Sequence, residues 1–197
     1  MQSESASAHE AAMAILMKRT MMHEGAEAHG IFVAKHYNAH GWLLWEDLID
    51  NVVCTEGKNL AFTSFINGSS YTVTGPYMGL ISSVSWSATA AGDTGAQING
   101  TNSWKEAGGA NAPTYSGNRP TCAWAAASGG AIALTSALAF TFTGAGTVEG
   151  CFILFGSAAT HTQDSAAGTL WSAGAFTGGA KTVASTDVLN VSYSTSM

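Results

Sequence analysis

The sequence predicts a mainly β fold: an antiparallel β-sandwich or jelly roll with an N-terminal helix and one short internal helix. Three observations predict it. Leu138, Phe140 and Phe142 alternate with Ala139 and Thr141, and Leu189, Val191 and Tyr193 alternate with Asn190 and Ser192. That period of two marks strands with one buried face. Turn signals such as Ser128-Gly129-Gly130 and Thr177-Gly178-Gly179 punctuate these runs. From Ala61 to Met197 only eight side chains are charged: Asp93, Lys105, Glu106, Arg119, Glu149, Asp164, Lys181 and Asp187. Many short strands at fairly regular spacing, set in a Gly-, Ala-, Ser- and Thr-rich background, fit a sandwich or jelly roll.

The elements follow in order. Residues 1–28 read as an N-terminal helical arm. Ser7 followed by Glu10 matches a capping box, in which Ser caps a free N–H and Glu reaches back to the cap. Met13, Met17 and Met21 recur every four residues with Leu16 beside them, and Gly25 is a plausible stop. This adaptable apolar stripe packs either on its own domain or on a neighbouring subunit. Residues 29–197 form the β domain. The runs 30–37 and 42–47 flank Asn38-Ala39-His40-Gly41, a hairpin signal, and Leu48 to Cys54 continues the second strand. Thr55 is placed to cap a helix from about Glu56 to Ile66, ended by Asn67-Gly68. Further strands are expected near Tyr77–Ser82, Thr121–Ala127, Ala131–Leu134, Leu138–Phe142, Thr147–Phe155, Thr169–Ala173, Lys181–Ala184 and Val188–Tyr193. Two long stretches, about 84–103 and 106–119, read as loops of the length that usually carries contacts or function.

Composition narrows the function. Charged residues make up 10% of the chain, against about 25% in ordinary soluble domains. A free monomer keeps itself soluble with surface charge. A chain that omits it is expected to have much of its surface covered by neighbours. The net charge of −6 argues against nucleic acid as a partner, because phosphate binding needs a basic patch. No apolar run reaches transmembrane length, so no membrane is expected. Glu4 and Glu10 stand where a signal peptide would be basic, which points to synthesis and use in a cytoplasm. Cys54, Cys122 and Cys151 lack CxxC spacing and have apolar neighbours, so they read as small buried hydrophobes; a disulfide between two of them stays open.

Catalytic signatures are missing. There is no GxSxG, HExxH, P-loop or GxGxxG. His36 and His40 fall across the predicted hairpin turn, and no Cys or carboxylate completes a metal set with them. His161 and Asp164 share a polar loop, but a triad needs partners gathered in space. The chain therefore reads as a non-enzyme with no cofactor and no metal. Trp86 and Trp104 read as core or interface anchors. Arg119, before Pro120, is the only basic residue between Lys105 and Lys181. With five donors it serves either as a clamp on its own loop, bonded to carbonyls or a carboxylate, or as an intersubunit anchor. The candidate interface residues are thus Met13, Leu16, Met17, Met21, Trp86, Trp104 and Arg119.

One ordered set of short motifs adds a resemblance. Asp50-Asn51-Val52-Val53 is followed by Glu56-Gly57-Lys58-Asn59-Leu60, Tyr77-Met78-Gly79-Leu80, Trp104-Lys105-Glu106 and Tyr115-Ser116-Gly117-Asn118-Arg119-Pro120. Gly168-Thr169-Leu170-Trp171 and Asp187-Val188-Leu189-Asn190-Val191 close the series. In this order, over about residues 28–196, the chain resembles small tailed-bacteriophage virion proteins of the capsid cement, or decoration, kind. The resemblance implies a virion structural protein that binds the major capsid protein and copies of itself, as dimer or trimer, on the capsid surface after assembly in the host cytoplasm. It brings no catalytic residues. The Met-rich segment 9–24 and the insertion 84–103 depart from the pattern. The alternatives are a tail or fibre component that binds a host receptor, and a carbohydrate hydrolase or binding module. Neither repeats nor heptads, the marks of a fibre, are present.

Overall fold

The computed structural model describes residues 28–67, 71–99 and 104–196. The N-terminal helical arm, with its capping box and Met stripe, lies outside the described residues.

The chain opens with the expected hairpin, β1 (His29–Tyr37) and β2 (Leu43–Val53), followed by α1 (Thr55–Phe65). Then come β3 (Tyr77–Ser82), a single 3-10 turn (Gly95–Gln97), β4 (Lys105–Ala107), β5 (Ala131–Ala133) and β6 (Leu138–Thr141). The last four strands are β7 (Gly146–Phe155), β8 (Thr169–Ala175), β9 (Lys181–Val183) and β10 (Val188–Ser196). The protein is mainly β, and the strands form one large antiparallel sheet. Its hydrogen-bonded path runs β4-β3-β7-β8-β2-β1-β10-β5, with β6 added to β10 and β9 to β7.

β2 joins the two halves of this path. Its first part pairs with β1, from Tyr37↔Leu43 to Gly30↔Asn51. Its last two residues, Val52 and Val53, pair with Ala173 and Ser172 of β8. The main core cluster draws on both halves: Phe32, Ile49, Leu189 and Val191 from one, and Met78, Leu80, Cys151 and Ile153 from the other. Strands far apart along the path therefore share one core, which requires the sheet to curl over it.

A second cluster, with Ile81, Trp104, Phe152, Leu154 and Leu170, lies on the opposite side of β3 and β7. This explains why Cys151-Phe152-Ile153-Leu154 is uniformly apolar. Alternate residues enter different clusters, so both faces of β7 are buried. Gly79 is required where these strands cross the Phe152 ring, because a Cβ there would stand 2.2 Å from a ring carbon.

Three sequence expectations are corrected, and the open question of a disulfide is answered. Residues 121–127 make only isolated bridges, Thr121↔Tyr77 and Trp124↔Leu134. Ala123 and Ala125–Ala127 are exposed and supply no side chains for a buried strand face. The 106–119 loop begins inside β4, a strand hidden by its charged residues. Cys54, not Thr55, is the N-cap of α1, and it makes no side-chain cap bond. Its own N–H is taken by the Trp171 carbonyl at 2.8 Å. Among the described residues the three thiols are free and buried, so no disulfide joins them.

Candidate interaction surface

The β1–β2 turn is held by Asn38. Its Oδ1 accepts hydrogen bonds from the amides of His40 and Trp42, both at 3.0 Å. The Asn38 amide donates to the Trp42 carbonyl at 3.0 Å, and Gly41 supplies the left-handed position at φ +80°. Beyond the turn the ladder slips: His36 faces Trp45, but Tyr37 faces Leu43, leaving Leu44 as an extra residue. Such a bulge breaks the in-out alternation. As a result Leu43 and Leu44 are both exposed, at 51% and 53%, beside Trp42 of the turn, which is 74% exposed. Leu48 and Ile31 are exposed farther along the hairpin, separated from the tip by the exposed Lys35–Glu46 ion pair at 3.3 Å.

The hairpin stands on a tied platform. Lys181 Nζ lies 2.8 Å from Asp47 Oδ2 and sits 5.5 Å over the Trp45 ring. The Gly178 amide donates to Asp47 Oδ2 at 3.0 Å, and Thr177 Oγ1 donates to the Leu48 carbonyl at 2.8 Å. Burial works upward on the Asp47 carboxyl, but the bonds from Lys181, Gly178 and Leu48 outweigh it and hold it below its usual value. Trp45 packs edge-on against Phe176 and lies 5.0 Å from the His36 ring. His36 is buried, with Nε2 2.9 Å from Asp187 Oδ2 but without hydrogen-bond alignment. Burial lowers its basicity more than Asp187 raises it.

The sheet edges offer less to a partner. The path ends at β4 and β5, each of three residues. Edges this short provide few main-chain groups for strand addition. Side chains on the hairpin face are the larger opportunity.

Arg119 and Trp104 are used internally. Arg119 Nε donates to Glu106 Oε1 at 2.7 Å, and Nη2 donates to Glu106 Oε2 at 2.6 Å. Its remaining bonds reach the carbonyls of Thr160 and Ser165 at 3.2 and 2.7 Å. Burial pushes the Glu106 carboxyl upward, opposed by Arg119 and by the Asp164 amide, which donates to it at 2.6 Å. Trp104 Nε1 donates to Asp93 Oδ2 at 3.1 Å, and its ring packs on Phe152. Both residues are almost fully buried, so neither offers a surface to another chain. Of the two roles the sequence left open for each, the structure uses Arg119 as a clamp on its own loops and Trp104 as a core anchor. Trp86 is half-buried against the second cluster. Met13, Leu16, Met17 and Met21 lie outside the described residues.

Nor do His161 and Asp164 come together as a catalytic pair. The Asp164 carboxylate accepts from Asn99 Nδ2 and from the Ala110 amide, both at 2.7 Å. The His161 ring faces Tyr77. Among the described residues no group of His, Cys, Asp and Glu is arranged to hold a metal, and no helix is long and apolar enough to cross a membrane.

The chain matches no family model, no curated protein and no solved structure. Its own geometry therefore carries the functional reading. Sequence reasoning missed the surface at Trp42-Leu43-Leu44. The available signal was three consecutive large apolar residues directly after a turn, where a half-buried strand would alternate.

Proposed function

We propose that this chain is a structural assembly subunit that buries its hairpin face against neighbouring protein. The specific form we propose is a tailed-phage capsid decoration protein, in keeping with the ordered motifs it resembles. In this reading it has no catalytic activity, and its curled sheet acts as a two-layered, sandwich-like body that presents the hairpin.

One observation carries the reading. Trp42, Leu43 and Leu44 project from a turn fixed by Asn38, on a strand braced from beneath by Lys181 and Asp47. A rigid, exposed group of large apolar residues is the kind of anchor that interfaces bury. The low charge of the domain supports it, because a weakly charged surface is easily desolvated by a neighbour. Many copies on one shell add up by multivalency, so a modest single contact suffices.

Co-sedimentation with undecorated capsid shells tests the proposal. The wild-type chain binds at saturating, symmetry-related copy number, and Leu44→Asp binds far more weakly while remaining folded. Equal binding by both proteins, or none by either, contradicts it. Selective binding to host cells would instead move the argument to a receptor-binding tail component.

A further inference from the structure

Helix α1 is under-covered for an element of its kind. It has eleven residues and buries only Gly57, while Phe62, Phe65 and the following Ile66 are 63%, 82% and 80% exposed. A helix this short is marginal in water unless an apolar face is packed. Two apolar clefts flank it, of about 480 and 590 Å³, and both are lined by Ala61 and Phe65. The larger is lined also by Val52, Val53, Phe62 and Ala28.

Ala28 is where the described chain begins, and 27 residues precede it. Among them the spacing of Met13, Leu16, Met17 and Met21 predicts one helical stripe. We propose that this segment of the same chain docks along α1, with its Met stripe in the cleft beside Val52 and Phe62. Three features select this occupant. The seven-residue link from Met21 to Ala28 spans at most about 25 Å, which keeps the stripe close to the cleft. A short tether gives an effective concentration of the order of millimolar, which a separate chain must match by mass. Flexible Met side chains fill an irregular apolar groove better than branched ones. The docked segment covers Phe62 and Phe65 and completes the packing of α1. The hairpin face remains available for assembly, so this proposal stands or falls separately from the functional reading.

Cross-linking in the full chain tests it. Lys18→Cys together with Lys58→Cys leaves the Met stripe intact, and the native thiols are buried. A flexible bis-maleimide is expected to join the two within one chain, with a yield independent of protein concentration. Cross-links found only between chains, rising with concentration, overturn the proposal, and so does the absence of any cross-link. Hydrogen exchange gives an independent reading. In Met13→Asp/Met17→Asp the α1 amides exchange roughly tenfold faster or more, while those of β7 and β10 are unchanged. Unchanged α1 exchange overturns the proposal.

Discussion

Arg119 and Glu106 form a buried two-pronged ion pair, each with a side chain fully shielded from solvent and with N–O distances of 2.6 and 2.7 Å. The pair sits where two loops meet. Glu106 belongs to β4 and accepts the Asp164 amide, while Arg119 reaches the carbonyls of Thr160 and Ser165. Asn99 reinforces the junction, donating to Asp164 and accepting the Glu106 amide at 3.0 Å.

Breaking one side of this pair strands the other charge in the interior. Arg119→Met is expected to destabilise the fold by about 3–5 kcal/mol, the cost of an uncompensated buried charge. Arg119→Lys keeps the charge but loses the fork and the extra carbonyl bonds, so it too destabilises, by less. Urea unfolding midpoints measure both. A loss below about 1 kcal/mol for Arg119→Met would place the pair in solvent contact.

Much of the fold was legible because its strands are amphipathic. The alternation in Leu189–Tyr193 located β10, and the Asn38–Gly41 turn located the β1–β2 hairpin. β4 was not legible, because Glu106 reads as a surface residue until its partner, thirteen positions later, is brought beside it. The hairpin surface was equally hidden: a bulge places Leu43 and Leu44 on the outside, and strand period alone cannot reveal a bulge. Trp104 and Arg119 could not be assigned between core and interface for one shared reason. Large and multiply bonding side chains serve cores as readily as interfaces, and sequence does not say which.

His36 makes stability depend on pH. Its folded-state pKa lies below the ordinary 6.5, mainly through burial, with Asp187 opposing. Protonation therefore favours the unfolded chain, which binds the proton more readily. The His36 contribution is full above about pH 6.5 and is lost as pH falls from there toward the lowered folded value. Unfolding midpoints at about pH 7.5 and about pH 5.5 should show lower stability at the acid end, with a smaller difference in His36→Gln. Stability that rises on acidification would contradict the assignment.

The thiols are inert in the native state. Burial pushes Cys54 and Cys122 up to about 12 and Cys151 higher still. The thiolate is the reactive form, so a maleimide reagent at neutral pH should label none of the three until urea unfolds the chain. Rapid labelling of native protein would mean that the strands around Cys151 open readily.

If the hairpin face serves assembly as proposed, substitutions there separate assembly from stability. Trp42→Ser and Leu44→Asp alter exposed side chains outside the core, so stability should move by less than about 0.5 kcal/mol. Particle binding should fall sharply. An unfolding midpoint that drops with them would show instead that the hairpin tip packs on this chain.

Cryo-electron microscopy of phage particles purified from cells that produce this chain, with mass spectrometry to count its copies, is the decisive measurement. Many symmetry-related copies are expected on the head, with Trp42, Leu43 and Leu44 buried against capsid protein or a neighbouring copy. Absence from the particle, or a few copies confined to the tail, would contradict the proposed role.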